Sequence, residues 1–233
     1  MEQVLLLAPM TGALVAGLGW RLIGETAVCW ISTTLILIAA TLAWFSMLGA
    51  PEIPVTRDLH IWMESGSLSA TIAFRLDRQY APLIALVTSL AAILHIVTLT
   101  YFRNQQDEAS PSEKGRRARL CAGLGGMTVA LVLLLAADDM AQFLAGWVGI
   151  GLACYIISGL NLGKAAAGRA AQRVALTLRA GELLLLILVG GIFALTDTLR
   201  FDDVFQVLSD LGAPQVTFLG MDMPAIEMLA AGL

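Results

Sequence analysis

The run Ala137-Asp138-Asp139-Met140-Ala141-Gln142-Phe143-Leu144-Ala145-Gly146-Trp147-Val148-Gly149-Ile150-Gly151-Leu152-Ala153-Cys154-Tyr155 decides the fold. After Asp139 no charged residue occurs until beyond Leu160, and the stretch Arg119–Ala136 just before it is equally apolar. A helix needs roughly 20 predominantly apolar residues to cross the hydrocarbon core of a bilayer. Met140–Leu160 and Arg119–Ala136 both qualify, and Ala137-Asp138-Asp139 leaves room only for a tight polar hairpin at a membrane surface. Lipid offers no hydrogen-bond partners, so such runs must satisfy their backbones internally, as helices.

Working outward, four further runs meet the same criterion, Gln3–Trp20, Ala27–Gly49, Gln79–Phe102 and Gln172–Leu195, which gives six spans. A mean hydropathy of +0.80, with 58% hydrophobic and 14% charged residues, agrees: the chain could not cover itself with polar side chains. The N-terminus lacks a basic leader region and a convincing cleavage site, so Val4–Trp20 reads as a retained span. The expected fold is an all-α membrane protein, a bundle of about six transmembrane helices. Its organisation reads as residues 1–49 for the first two helices, 50–78 for an ordered external loop, 79–195 for helices three to six, and 196–233 for an amphipathic segment and tail.

Loop charges set the sidedness. Arg21, Arg103, Lys114, Arg116, Arg117, Arg119, Lys164, Arg169 and Arg173 fall on one side, against Arg57, Arg75, Arg78 and Arg200 on the other. Basic loops stay on the cytoplasmic or matrix side, so the N-terminus is expected to face outward. The Arg103–Arg119 loop is polar and expected to be flexible. In Pro51–Arg78, partial alternation from Ser67 to Leu76 suggests a short hairpin capping helix ends.

Small residues recur every four positions, Ala122, Gly126 and Ala130 in the fourth span and Ala145, Gly149 and Ala153 in the fifth. Helices associate in lipid by close backbone approach, so these stripes are packing faces, within the chain or toward a neighbour. Trp147 reads as a packing anchor beside them. Phe201, Val204, Phe205, Leu208 and Leu211 share one face of a further helix, with Asp202, Asp203, Gln206 and Asp210 opposite. Its acidic face favours docking on protein over anionic lipid.

Ionisable groups inside a membrane are costly and need a reason. Arg179 and Glu182 lie three apart on one helical face, close enough to pair. They are either a proton relay, or link to a neighbouring subunit, or an internal ion pair neutralising itself. His95 titrates near neutrality and suits proton shuttling, though an imidazole bonded to a nearby carbonyl is the alternative. His60 is expected to be solvated. Asp138 and Asp139 read as surface turn residues rather than a catalytic pair, with Asp139 capping the fifth helix. Cys29, Cys121 and Cys154 are far apart in apolar runs and read as buried small hydrophobes. No metal set, phosphate loop, dinucleotide fingerprint or iron–sulfur cysteine set is present, so neither catalytic residues nor cofactors are expected. Nor does any basic patch suggest nucleic acid.

Several stretches together resemble the antiporter-like large subunit of respiratory complex I, the subunit L family of NADH-quinone oxidoreductase. The fifth span is similar to that family's fifth helix, where an Asp-Asn pair leads into Gly-Trp-Glu-Gly-Val-Gly-Leu. Trp62-Met63-Glu64-Ser65-Gly66 and Phe74-Arg75-Leu76-Asp77 resemble its external loop. His95-Ile96-Val97 with Tyr101-Phe102 is similar to the end of its third helix. Leu178-Arg179-Ala180-Gly181-Glu182 resembles the Arg-Val-Gly-Asp motif of its sixth, and Thr198-Leu199-Arg200-Phe201 the turn that follows. The likeness covers residues 57–205, and more weakly the first two helices.

The resemblance implies a membrane-arm subunit of an ion-translocating NADH:quinone oxidoreductase, in the bacterial or mitochondrial inner membrane, whose role is proton translocation coupled to quinone reduction. Redox centres would belong to other subunits. Two departures stand out. Val148 occupies the position of the family's buried glutamate, and the later helices, including the one with a buried lysine partner, lie past the last residue. The chain is therefore expected not to pump alone and to borrow charges from companion membrane subunits. Alternatives are a non-pumping scaffold or degenerate paralogue, and a subunit of a multi-part cation/proton antiporter.

Overall fold

The computed structural model describes residues 2–66, 68–101, 115–160, 165–210, 215–218 and 221–224. Its elements run α1 (Glu2–Ile23), α2 (Glu25–Leu48), β1 (Val55–Ser65), β2 (Leu68–Leu76), α3 (Tyr80–Tyr101), α4 (Arg116–Leu135), α5 (Met140–Ser158), α6 (Ala165–Thr196), α7 (Phe201–Asp210), β3 (Gln215–Phe218) and β4 (Met221–Pro224). Among the described residues six helices, α1 to α6, are long and apolar enough to cross a membrane. The spans are those the apolar runs mark out, with ends that differ by at most seven residues. Helix α6 begins at Ala165 rather than Gln172, because its first turns are alanine-rich and helix-favouring although too polar to count as span. Only Gly24 separates α1 from α2, at φ 89, a conformation that glycine adopts without strain.

The bundle is built inside out relative to a water-soluble protein. Leu18, Leu22, Leu48, Leu176 and Ile187 face outward, while Ala16, Ala39, Ser32, Thr33, Thr88 and Thr128 are buried. With lipid as solvent, leucine gains little by turning inward, so small residues that let backbones approach occupy the interior. The α4–α5 contact illustrates the point. A Cβ on Gly146 would sit 2.7 Å from the Leu134 backbone nitrogen, and one on Gly149 would sit 2.8 Å from the Ala130 Cβ. Thus Ala130 and Gly149 meet within the chain, whereas Ala122 lies against Gly17 of α1 and Gly126 faces open space.

The external segment is an antiparallel hairpin, β1 pairing with β2 from Val55–Leu76 to Ser65–Leu68. Its alternation is only partial because the register shifts between Asp58 and His60 and again between Ile61 and Met63. Phe74 anchors it, buried against Leu5 of α1, Ala43 of α2, Ile84 of α3 and Val132 of α4. The hairpin thereby covers one end of the bundle. Helix α7 docks on α6 through Val204, which packs with Leu188 and Ile192, while Phe205 stays exposed. Strands β3 and β4 form a second antiparallel hairpin that the sequence pattern did not announce. Residues 102–114, most of the loop expected to be flexible, lie outside the described residues.

Candidate functional site

Among the described residues, three places with buried ionisable groups bear on the candidate site. The first is the hairpin end of the bundle. Asp138 lies in the α4–α5 turn and is 4% exposed, and Asp139 is equally buried, so these turn residues are not at the surface as expected. Asp138 accepts a hydrogen bond from Thr56 Oγ1 at 2.9 Å and pairs with Arg200 at 2.9 Å and Arg75 at 3.5 Å. Arg75 also reaches Asp202 at 3.1 Å. Burial alone would lower the Arg75 pKa, but Asp202, Asp138 and Asp77 outweigh it and raise it.

Backbone bonds stitch the same segments, Arg75 N–H to Ala136 O at 3.0 Å and Met140 N–H to Leu199 O at 2.9 Å. Asp139 caps α5, its Oδ1 accepting from Gln142 N–H at 2.6 Å while Oδ2 accepts from Thr71 N–H at 3.0 Å. Burial nevertheless raises its pKa above the ordinary carboxylate value, more than these donors lower it. Gln142 completes the joint: its Oε1 accepts from Ala73 N–H at 2.8 Å, and Nε2 donates to Ala73 O at 2.9 Å and to Leu133 O at 3.1 Å. One side chain thus fastens β2 to the α4–α5 hairpin. Sequence reasoning passed over Gln142; the available signal was a lone amide one turn inside a span.

The second place is the cleft between α5 and α6. Arg179 Nη1 lies 2.8 Å from Glu182 Oε2, with the arginine half exposed and the glutamate buried. The second oxygen, Oε1, is buried and has no hydrogen-bond partner. It presses on Gly151, where an added Cβ would overlap it, and Leu178 and Tyr155 line the same crevice. A carboxylate held by one oxygen and left with a free one in a crevice has an open position for a proton or a water.

The third is His95, fully buried between α2 and α3. Its Nδ1 lies 2.9 Å from Ala91 O and its Nε2 lies 3.3 Å from Ser32 Oγ. In the neutral ring Nδ1–H donates to that carbonyl and Nε2 accepts from the serine hydroxyl. His95 and Glu182 are not brought together, because α6 packs on α5 and α7 while His95 sits in the other half of the bundle.

Val148 is half-buried and borders an open groove of ≈ 590 Å³ formed by Trp62, Met63, Leu144, Leu186 and Phe193. Among the described residues no ionisable side chain lines this groove. Trp147 stands on an outward face of α5, 43% exposed and stacked on Phe143, instead of anchoring the small-residue contact. His60 is exposed on β1. Among the described residues no cluster of three or more His, Cys, Asp or Glu could hold a metal ion.

Six membrane-crossing helices with charges buried between them define the class: an integral, polytopic helical membrane protein. The chain is related to the antiporter-like subunits of respiratory complexes. A family described as "NADH:quinone oxidoreductase/Mrp antiporter, TM" matches residues 137–231. NADH-quinone oxidoreductase subunit L of Rhodobacter capsulatus is 32% identical over 99% of this chain and 32% of its own length. NADH-ubiquinone oxidoreductase chain 5 of Chondrus crispus is 24% identical over 99% of this chain and 34% of its own. The chain therefore spans about a third of the length of these curated relatives. Among solved structures, a chain of the membrane-bound sulfane sulfur reductase, an archaeal respiratory membrane complex, superposes with a TM-score of 0.69 at 14% identity. The match covers 91% of this chain and 41% of that one, a likeness of fold.

Proposed function

We propose that this chain serves as an antiporter-like membrane-arm subunit, or the N-terminal portion of one, in an NADH-quinone oxidoreductase of an energy-transducing inner membrane. In this reading its N-terminus faces outward, and it contributes to proton translocation coupled to quinone reduction without holding a redox centre. Glu182 is the proton-carrying group, Arg179 sets its charge, and His95 with Ser32 forms a separate polar relay. One observation supports this above the rest: Glu182 is buried with Oε1 unpartnered in a crevice between two spans, an arrangement a purely structural ion pair would avoid.

The apolar groove at Val148 favours a second element of the proposal. The described helices carry no acid at that level of α5, so translocation there depends on charges from companion membrane subunits. Reconstituted alone in liposomes under a potassium diffusion potential, the chain is expected to give no proton flux above empty vesicles, and flux from the chain alone would sink the dependence on companions. Purification from native membranes with mass spectrometry tests the assembly. Other respiratory membrane subunits should co-elute, whereas a partnerless chain would favour the decayed-paralogue alternative.

A further inference from the structure

Two thiols distant in sequence meet in the half of the bundle that holds His95 and Ser32, away from Glu182. Cys29 of α2 and Cys121 of α4 are both fully buried, and their Sγ atoms lie 3.1 Å apart. Both are free thiols, enclosed by Ala16, Val28, Leu99 and Ala118. Packing alone needs no such approach, since two small apolar side chains would fill the same space. A disulfide has its sulfurs about 2.05 Å apart. The Sγ atoms need close by only about an ångström to reach it.

One neighbour also bears on reactivity. Arg117 lies one helical turn before Cys121, is 4% exposed, and leaves Nε and Nη1 without partners. A buried guanidinium nearby offsets part of the cost that burial puts on the thiolate, the form that reacts. Glu25, one turn before Cys29, acts against the thiolate but binds backbone rather than that guanidinium. Its carboxylate is taken up by the α4 backbone, accepting from the N–H groups of Arg117 at 2.7 Å, Gly115 at 3.2 Å and Ala118 at 3.3 Å. The two helices are thus already pinned end to end beside the sulfur pair.

We propose that Cys29 and Cys121 are a modification site, an oxidisable dithiol that membrane-permeant hydroperoxides convert to a disulfide bolting α2 to α4. One thiolate attacks the O–O bond, giving a sulfenic acid and releasing the alcohol. The second thiol then displaces the sulfenic oxygen as water, so two S–H bonds and one O–O bond break and one S–S bond forms. The peroxide takes up both electrons and both protons, and nothing else is needed. The bolt lies one turn from Ser32, the hydrogen-bond partner of His95, and fixes the helix that carries that serine.

The experiment treats native membranes holding the full chain with tert-butyl hydroperoxide, then denatures them and counts free thiols by maleimide mass-tagging. Untreated chain should take three tags and treated chain one, carried by Cys154. The Cys154→Ser variant should go from two tags to none, and its linked peptides should join residues 29 and 121. In Cys29→Ser no partner thiol remains to resolve a sulfenic acid, so arsenite, which reduces sulfenic acids and not disulfides, should restore any tag Cys121 loses, whereas it should restore none in the Cys154→Ser variant. Retention of all tags, a link involving Cys154, or a cross-link between two chains would each overturn the proposal.

Discussion

Asp139 and Gly151 mark two residues where position and chemistry pull against each other. Asp139 is the N-cap of α5, yet burial holds its pKa above the ordinary value. A carboxyl whose folded pKa is raised contributes stability that is full below the unfolded pKa and is lost as pH rises through the folded one. Thermal unfolding in detergent between pH 3.5 and 7 should therefore show the native chain gaining on Asp139→Asn as pH falls. A gain in the opposite direction would mean that the cap is held as an anion. At Gly151 the missing side chain makes room for Glu182 Oε1. Gly151→Ala should cost about 1–3 kcal/mol, the usual range for overpacking. The cost should largely vanish in a Glu182→Ala background, and equal costs in both backgrounds would show that the two residues do not share this space.

At the scale of elements, the α4–α5 hairpin rests on glycines that the sequence pattern only half identifies. A four-residue spacing of small side chains marks a face, but it does not say which members touch. Gly146 stands outside the stripe and is the tightest of them, its missing Cβ directed at Leu134 N, whereas Gly126, inside the stripe, has nothing within 4 Å. Gly146→Ala should accordingly lower the yield of monodisperse protein on size-exclusion chromatography several-fold, and Gly126→Ala should leave it unchanged. Equal yields would place the α4–α5 contact elsewhere. The same limit explains what else was illegible. Apolar run length marks a span directly, because bilayer thickness imposes it. The bonding of Gln142 to Ala73, the burial of Asp138 and the meeting of Cys29 with Cys121 depend on segments 62 to 92 residues apart, which no local pattern encodes. Legible in part was the Arg179–Glu182 pair, because helical periodicity alone brings residues three apart together.

For the molecule as a whole, the charge cluster, the hairpin and the turns after α4 and α6 close one end of the bundle, while Val148 looks into an apolar groove. Val148→Glu is a test at this scale. In the chain alone the new carboxyl meets no cation, so it should stay protonated near neutral pH or depress folded yield, readable by infrared titration of the carboxyl stretch. In the assembled complex a companion lysine would ionise it and raise proton flux; an ionised carboxylate in the isolated chain would mean that the groove is wet. The length of α6 carries one more consequence. Its 32 residues rise about 48 Å, against a hydrocarbon core of about 30 Å. Counting back from Thr196 at the closed end, Glu182 lies about 21 Å across and Arg179 about 25 Å. The pair therefore sits in the last third of the bilayer, where the arginine stem can reach the headgroups of the far leaflet. If Glu182 carries a proton as proposed, loading it from that leaflet would cross only about a third of the membrane voltage, or about 0.7 kcal/mol per 100 mV, leaving the remaining field drop for the onward transfer.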